Sequence, residues 1–358
     1  MELIRARSGT RRRSSAWLNR AVLRGDLLRL RRGVYVDPLQ WAAAPPWDRH
    51  RAEALATAVS HPEAVMCRET ALALHGVPLL GTPQELHLRA SSPSRAGLTA
   101  GNPLSAAGVL EVRGKGDVRN MRLHGLPSRR ILPPVPRGST AQAARERHRL
   151  QMLSPPETVS VRGISVDGMA GAVRVEPLAF AVVDTVPRLA RPDAVVVLDA
   201  VVAGRARVST LGLPFLQATA ERWLWSRRAQ AEWGWVSGFA DPRSESPGES
   251  WSRVLIEELG FPPPQLQVPV RLPDGRVVRL DFAWPEHQVF GEFDGRMKYD
   301  DAVALSGTSD QSVYWQEKRR EELIELVTGY RAVRWAWGDL RNPQRLAQRL
   351  RARGLPQR

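Results

Sequence analysis

The chain has 358 residues, 43% hydrophobic and 25% charged, with a formal net charge of +15, which is the profile of an ordinary globular protein with room for two or three domains. A single cysteine, Cys67, excludes a disulfide framework and any cysteine-based zinc cluster, and points to a reducing, cytoplasmic setting. The longest apolar runs, Leu178 to Val186 and Ala194 to Ala203, are broken by Asp184 and Asp199 and are too short to cross a bilayer, and the opening residues do not read as a secretory leader, so no membrane partner is expected.

The first 32 residues carry ten arginines against Glu2 and Asp26, the electrostatic footprint of a phosphate-backbone binder. Trp17, Leu18, Ala21 and Val22 fall at helical spacing, Gly25 suits a C-terminal cap, and Leu27 to Val36 alternates as a hairpin turning at Gly33. A helix followed by a basic two-stranded wing is the layout of a winged helix-turn-helix. The run RGDLLRLRRGVYV, with the helical CRETALALHG at Cys67 to Gly76, resembles the N-terminal domain of AbiEi-type antitoxins. That resemblance covers roughly residues 10–80 and implies a DNA-binding autoregulator, with its own promoter or a cognate toxin as possible partners. By analogy Arg24, Arg29, Arg31 and Arg32 would meet phosphates. His75 stands before the helix-ending Gly76, and with no second His or Cys at metal spacing it reads as a packed or capping residue.

Residues 81–238 form a mixed α/β middle region whose chemistry the sequence does not specify. Short strands are expected around Glu85 to Arg89 and Val109 to Arg113, and buried helices at Pro177 to Gly204, where Asp184 is expected to pack or hydrogen-bond. The tryptophans of residues 210–235 are expected to pack in a core or between domains rather than stack on bases. A polar stretch, 239–245, reads as a linker.

Residues 246–358 begin sharply. Ser246-Pro247-Gly248-Glu249 combines a helix N-cap, proline at the first helical position and a capping-box glutamate. Three extended runs follow, Gln265 to Leu272, Val277 to Trp284 and Val289 to Phe293, separated by short turns. Next come a helix from Tyr314 to Val327, a strand from Tyr330 to Trp337 with Val333, Trp335 and Trp337 on one face, and a basic helix opened by Asn342-Pro343. The middle runs carry Asp281, Glu292 and Asp294 with Lys298 just beyond. Converging carboxylates are costly unless a cation neutralises them, which suggests a divalent metal with oxygen ligands. From Glu249 onward the net charge is only +1, so the basic excess lies outside this segment.

The motifs SPGESWSR, LDFAW, GEFDGRMKY, EKRREELI and GYRAVRWAW resemble those of very-short-patch-repair (Vsr)-like endonuclease domains of the PD-(D/E)XK superfamily. The resemblance spans about residues 244–353. It implies an α+β multidomain chain ending in a restriction-endonuclease-like α-β-β-β-α-β core, and a Mg²⁺-dependent DNA endonuclease. Asp281, Glu292 and Asp294 would be the metal ligands, with Glu249 completing the shell or serving only as a helix cap. The family places a lysine where this chain has Asp294; Lys298 and Lys318 are the substitutes, two of only three lysines in the chain. Arg320 would contact phosphate. The alternative is a non-catalytic DNA-binding antitoxin or transcriptional regulator on a degenerate nuclease fold.

Overall fold

Ser14 caps the first helix, α1 (Ser15–Leu23), by accepting a hydrogen bond from the Trp17 amide, and the helix buries Leu18, Ala21 and Val22. Gly25, at φ +81°, reverses the chain into the strands β2 (Leu28–Arg31) and β3 (Val34–Val36), which turn at Gly33, φ +75°. The computed structural model describes residues 1–6, 14–101, 125–133, 155–205, 211–224, 226–295 and 310–358, with Gln142 and Arg145, and for 310–318 the backbone alone. Its expected strand at Val109 to Arg113 lies outside these residues. The chain is α+β and divides into two units, Met1–Arg188 with Ala206–Gly234, and Leu189–Arg205 with Trp235–Arg358.

In the first unit the hairpin does not stand free as a wing. Its strand β3 pairs antiparallel with β1 (Glu2–Arg5), which runs parallel to β7 (Glu157–Val166), and β8 (Met169–Val175) completes a five-stranded sheet. The cause lies in the hairpin's composition: Leu28, Leu30, Val34, Tyr35 and Val36 are all buried, so both strands need covering. Helices α2 (Pro38–Ala43), α3 (Pro46–Ser60) and α4 (Arg68–Leu74) follow. A second sheet has the order β4 (Leu86–Arg89), β6 (Ser128–Ile131), β5 (Gly97–Thr99). Helix α5 (Leu178–Thr185) is buried almost all round, and α7 (Leu213–Trp223) packs on it, with Trp223 edge-on to Phe180. Trp223 and Trp233 are buried as expected, Trp235 is half-buried and stacks on Phe239, and Trp225 lies outside the described residues. Between α5 and α7 the chain forms α6 (Arg191–Val202), which belongs to the second unit; α8 (Arg227–Phe239) is shared out between the units.

The second unit is built on a four-stranded sheet in the order β12-β11-β10-β9. Strands β9 (Gln265–Arg271), β10 (Val277–Trp284) and β11 (Val289–Asp294) form an antiparallel meander. Strand β12 (Arg331–Ala336) pairs parallel to β11, a connection that requires a crossover, supplied in chain order by α10 (Asp310–Thr328). Helix α9 (Pro247–Glu258) precedes the sheet, so the order is α-β-β-β-α-β. Gly248 is required where α9 approaches the sheet, because a Cβ there would sit 1.9 Å from the Phe293 ring. On the same side, the Trp335 indole donates to Ser252 Oγ at 2.7 Å.

The stretch expected as a linker is fastened down. Asp199 of α6 accepts from the Asp241 amide, from Ser250 Oγ and from the Arg253 guanidinium, which also donates to Phe239 O and Ser244 Oγ. Trp337 is not a strand residue. It opens the short helix α11 (Trp337–Leu340), with its ring edge-on to Phe293, before α12 (Pro343–Ala352) ends the fold. The turn to a helix lets Asp339 fold back on the Ala336 amide, which a continuing strand would have spent on the ladder. No helix among the described residues is long and apolar enough to cross a membrane.

Candidate active site

Register places four polar residues in one row across the second unit's sheet. Pairs Val268↔Leu280 and Leu266↔Phe282 flank Gln267 and Asp281 on β9 and β10. Extending Phe282↔Gly291 by one residue sets Asp281 opposite Glu292, and Glu292 is paired with Arg334. Directly opposed residues share a face, so Glu292 and Arg334 lie together on the side away from Gly291 and Trp335, with Asp281 and then Gln267 next along the row.

Two helices complete the group. From α9, Glu249 Oε2 accepts from the Glu245 amide at 2.8 Å and from Gln267 Nε2 at 3.2 Å. Ser246 Oγ accepts from the Glu249 amide, so the cap is half of a capping box, with the glutamate reaching the residue before the cap. The cap and the site were expected to exclude each other, but one carboxylate combines them, because the bond to Glu245 leaves it beside Gln267 and near enough to Asp281 for their charges to interact. From α10, Arg320 donates to Glu292 Oε2 at 2.9 Å and to Arg279 O at 3.1 Å, and Arg334 stands 3.8 Å from the same carboxylate oxygen. Arg320 is thus an ion-pair partner of Glu292, and its side chain is still about one-third exposed.

The carboxylates are short of positive charge. Burial pushes Asp281 up to about 6, helped by the charge of Glu249; the Phe293 amide, which donates to Oδ2 at 3.0 Å, with Arg320 and Gln267, offsets only part of this. Burial likewise raises Glu249 and Glu292, in the latter against the opposing pull of Arg320. Glu292 Oε1 is buried and accepts no hydrogen bond among the described residues. A buried acceptor without a donor is costly, and here it stands beside two more acids of raised pKa. Among the described residues no group of three or more His, Cys, Asp or Glu side chains is gathered closely enough to hold one metal by itself.

Asp281, Glu292, Glu249 and Arg320 are thus brought together as a group. Asp294 lies two residues beyond Glu292 at the end of β11, half-buried and on the Glu292 face by alternation. Lys298 lies outside the described residues, and Lys318 is placed on α10 by its backbone alone. Sequence reasoning missed Gln267 and Arg334. For Arg334 the available signal was strand register, since it lies directly across from Glu292; nothing in the run QLQVPV marks Gln267.

In the first unit Arg24 pairs with Asp26 at 2.7 Å, and Arg29 and Arg32 are exposed on the hairpin. Arg31 is a correction. It is buried on Glu53 at 2.5 Å and also donates to Thr57 Oγ1 and to the carbonyls of Leu30 and Leu126, leaving no free face for a phosphate. A bulge between Arg29 and Arg31 breaks the alternation that would have turned it outward. His75 behaves as expected: it is buried, with Nε2 2.7 Å from the Glu176 carbonyl.

No family profile matches the chain. It is 29% identical over 133 residues to two uncharacterized proteins of Mycobacterium tuberculosis, MT2308 of strain CDC 1551 and Rv2248 of strain H37Rv. The match covers 37% of this chain and 46% of each relative, so the chain spans less than half the length of the curated relatives it matches.

Proposed function

We propose that the second unit is a PD-(D/E)XK-type, Vsr-like nuclease domain that hydrolyses DNA phosphodiester bonds with Mg²⁺, delivered by a basic N-terminal region. The observation that carries this reading is the row Asp281–Glu292 with the orphaned Glu292 Oε1, set in an α-β-β-β-α-β order of elements. Asp281 and Glu292 would hold the cation, with Asp294 on the same face. A divalent cation supplies charge neutralisation at the scissile phosphate and a more acidic water. Glu249, anchored by Glu245 and Gln267, would orient water at the edge of the site. Arg320 and Arg334 hold Glu292 until a phosphate competes for their guanidinium groups.

The test is plasmid cleavage by the purified chain with Mg²⁺. Asp281→Ala and Glu292→Ala should each abolish nicking that the parent shows, and cleavage surviving in both variants refutes the assignment.

One observation favours a second reading. Glu292 is already paired with Arg320, and Asp294 stands where the lysine of the resembled family is expected, as on a scaffold retained for a regulator of antitoxin type with its own promoter and a toxin as partners. Salt-dependent binding to its own upstream DNA, with no cleavage at any divalent-cation concentration, would select it.

A further inference from the structure

Among the described residues, four that are not glycine have positive φ: Arg68, Asp167, Gln267 and Gln288. Asp167 lies in the β7–β8 turn, Gln288 closes the turn before β11, and Arg68 starts α4 with its guanidinium on buried Asp184. Gln267 differs from all three. At φ +54° it lies inside strand β9, with paired residues on either side of it. A left-handed conformation within a strand is strained for a residue with a Cβ, and such strain persists only where the surroundings enforce it.

What the strained backbone achieves is visible in the side chain. Gln267 is 8% exposed, its carboxamide nitrogen donates to Glu249 Oε2 at 3.2 Å, and it lies across from Asp281, between the pairs Val268↔Leu280 and Leu266↔Phe282. A neutral donor holds the helix acid Glu249 next to the strand acid Asp281. It anchors one acid without cancelling its charge; a lysine or arginine in the same place would compete with any cation.

We infer that Gln267 is a positioning residue, held in a strained backbone so that its amide anchors Glu249 beside Asp281 at this site. The inference rests on the nuclease reading, and it makes the kinked strand part of the active-site machinery. Residues that hold metal-binding carboxylates in place contribute to affinity and turnover without touching the reacting atoms.

The experiment compares the full-length parent with Gln267→Gly and Gln267→Glu, reading thermal midpoint, plasmid nicking as kcat and KM, and Mn²⁺ binding by calorimetry. Gln267→Gly removes the amide but suits positive φ, so the midpoint should stay within about 3 °C of the parent. Its kcat and Mn²⁺ affinity should fall roughly 10- to 100-fold, with KM for DNA unchanged. Gln267→Glu keeps the length but adds a third acid, and should shift the pH–rate profile upward. Parental kcat and Mn²⁺ affinity in Gln267→Gly would overturn the inference, as would a loss of both in step with a collapse of the midpoint. An active parent with unaffected variants removes the inference alone, whereas a parent that neither nicks DNA nor binds Mn²⁺ removes the nuclease reading and the inference with it.

Discussion

Asp184 in the first unit and Asp281 in the second are both aspartates withdrawn from water, and their surroundings drive them in opposite directions. Burial pushes Asp184 up, yet the guanidinium groups of Arg89, Arg68 and Arg188 outweigh it and hold the carboxyl well below the usual range. Arg89 also pairs with both oxygens of Glu176, so that cluster is closed. Asp281 has Arg320 only at one remove, through Glu292, and faces the like charge of Glu249. A saturated acid of the first kind ties elements together, here α4, β4 and α5. An acid starved of cations destabilises its own fold and persists where something else must bind.

The sharpest way to break this contrast is to remove each charge in turn. Asp184→Asn leaves the Arg68 and Arg89 cations buried without their common partner and should cost roughly 3–5 kcal/mol in urea unfolding. A loss below about 1 kcal/mol would show the cluster to be dispensable.

Asp281→Asn should act with the opposite sign. The folded pKa, about 6, lies above the 3.8 of an ordinary aspartate, so the stability linked to protonated Asp281 is complete below the unfolded value and is lost as pH rises through about 6. A permanently neutral asparagine escapes that loss. The variant should therefore be more stable than the parent by on the order of 2 kcal/mol at pH 8, with the gain gone near pH 4. Equal destabilisation at both pH values would make Asp281 a structural residue like Asp184.

The two regions also differ in how far they could be read from sequence. The α9 start, the meander, the crossover and β12 follow from capping chemistry and two-residue alternation, both local signals. Asp281 and Glu292 were legible for the same reason. Gln267 was not, because its importance lies in a positive φ and in a cross-strand neighbour, neither of which the run QLQVPV displays. Arg31 was misread because a bulge inverts its side, and the hairpin's place in a five-stranded sheet depends on β7, more than a hundred residues away. The joining of Leu189–Arg205 to the second unit rests on Asp199 meeting Ser250 and Arg253, a non-local contact without periodicity.

A smaller effect tests saturation within the first unit. His87 Nδ1 lies 2.7 Å from Glu69 and Nε2 3.0 Å from Glu85, and only the imidazolium can donate to both. Burial lowers its pKa, but the two carboxylates outweigh that and raise it above 6.5. The resulting stability is complete below 6.5 and is lost as pH rises through the raised value. In His87→Gln the fall in thermal midpoint from pH 6 to pH 9 should be smaller than in the parent. An unchanged slope would mean that the ring stays neutral and bonds only one acid.

The smallest effects belong to the hairpin arginines, where the same distinction separates neighbours in sequence. Arg31 has its charge answered by Glu53, whereas Arg29 and Arg32 present theirs to solvent. If the hairpin meets a phosphate backbone, Arg29→Ala and Arg32→Ala should each weaken DNA binding a few-fold at moderate salt, and each should reduce the slope of log K against log salt by about 0.9. Their thermal midpoints should not move, because exposed charges add little to stability. Arg31→Ala should do the reverse, lowering the midpoint by stranding Glu53 in the core while leaving the salt slope of the folded fraction alone. Unchanged salt slopes for Arg29→Ala and Arg32→Ala would remove the hairpin from the DNA-binding surface, and a changed slope for Arg31→Ala would mean that its burial opens when DNA binds.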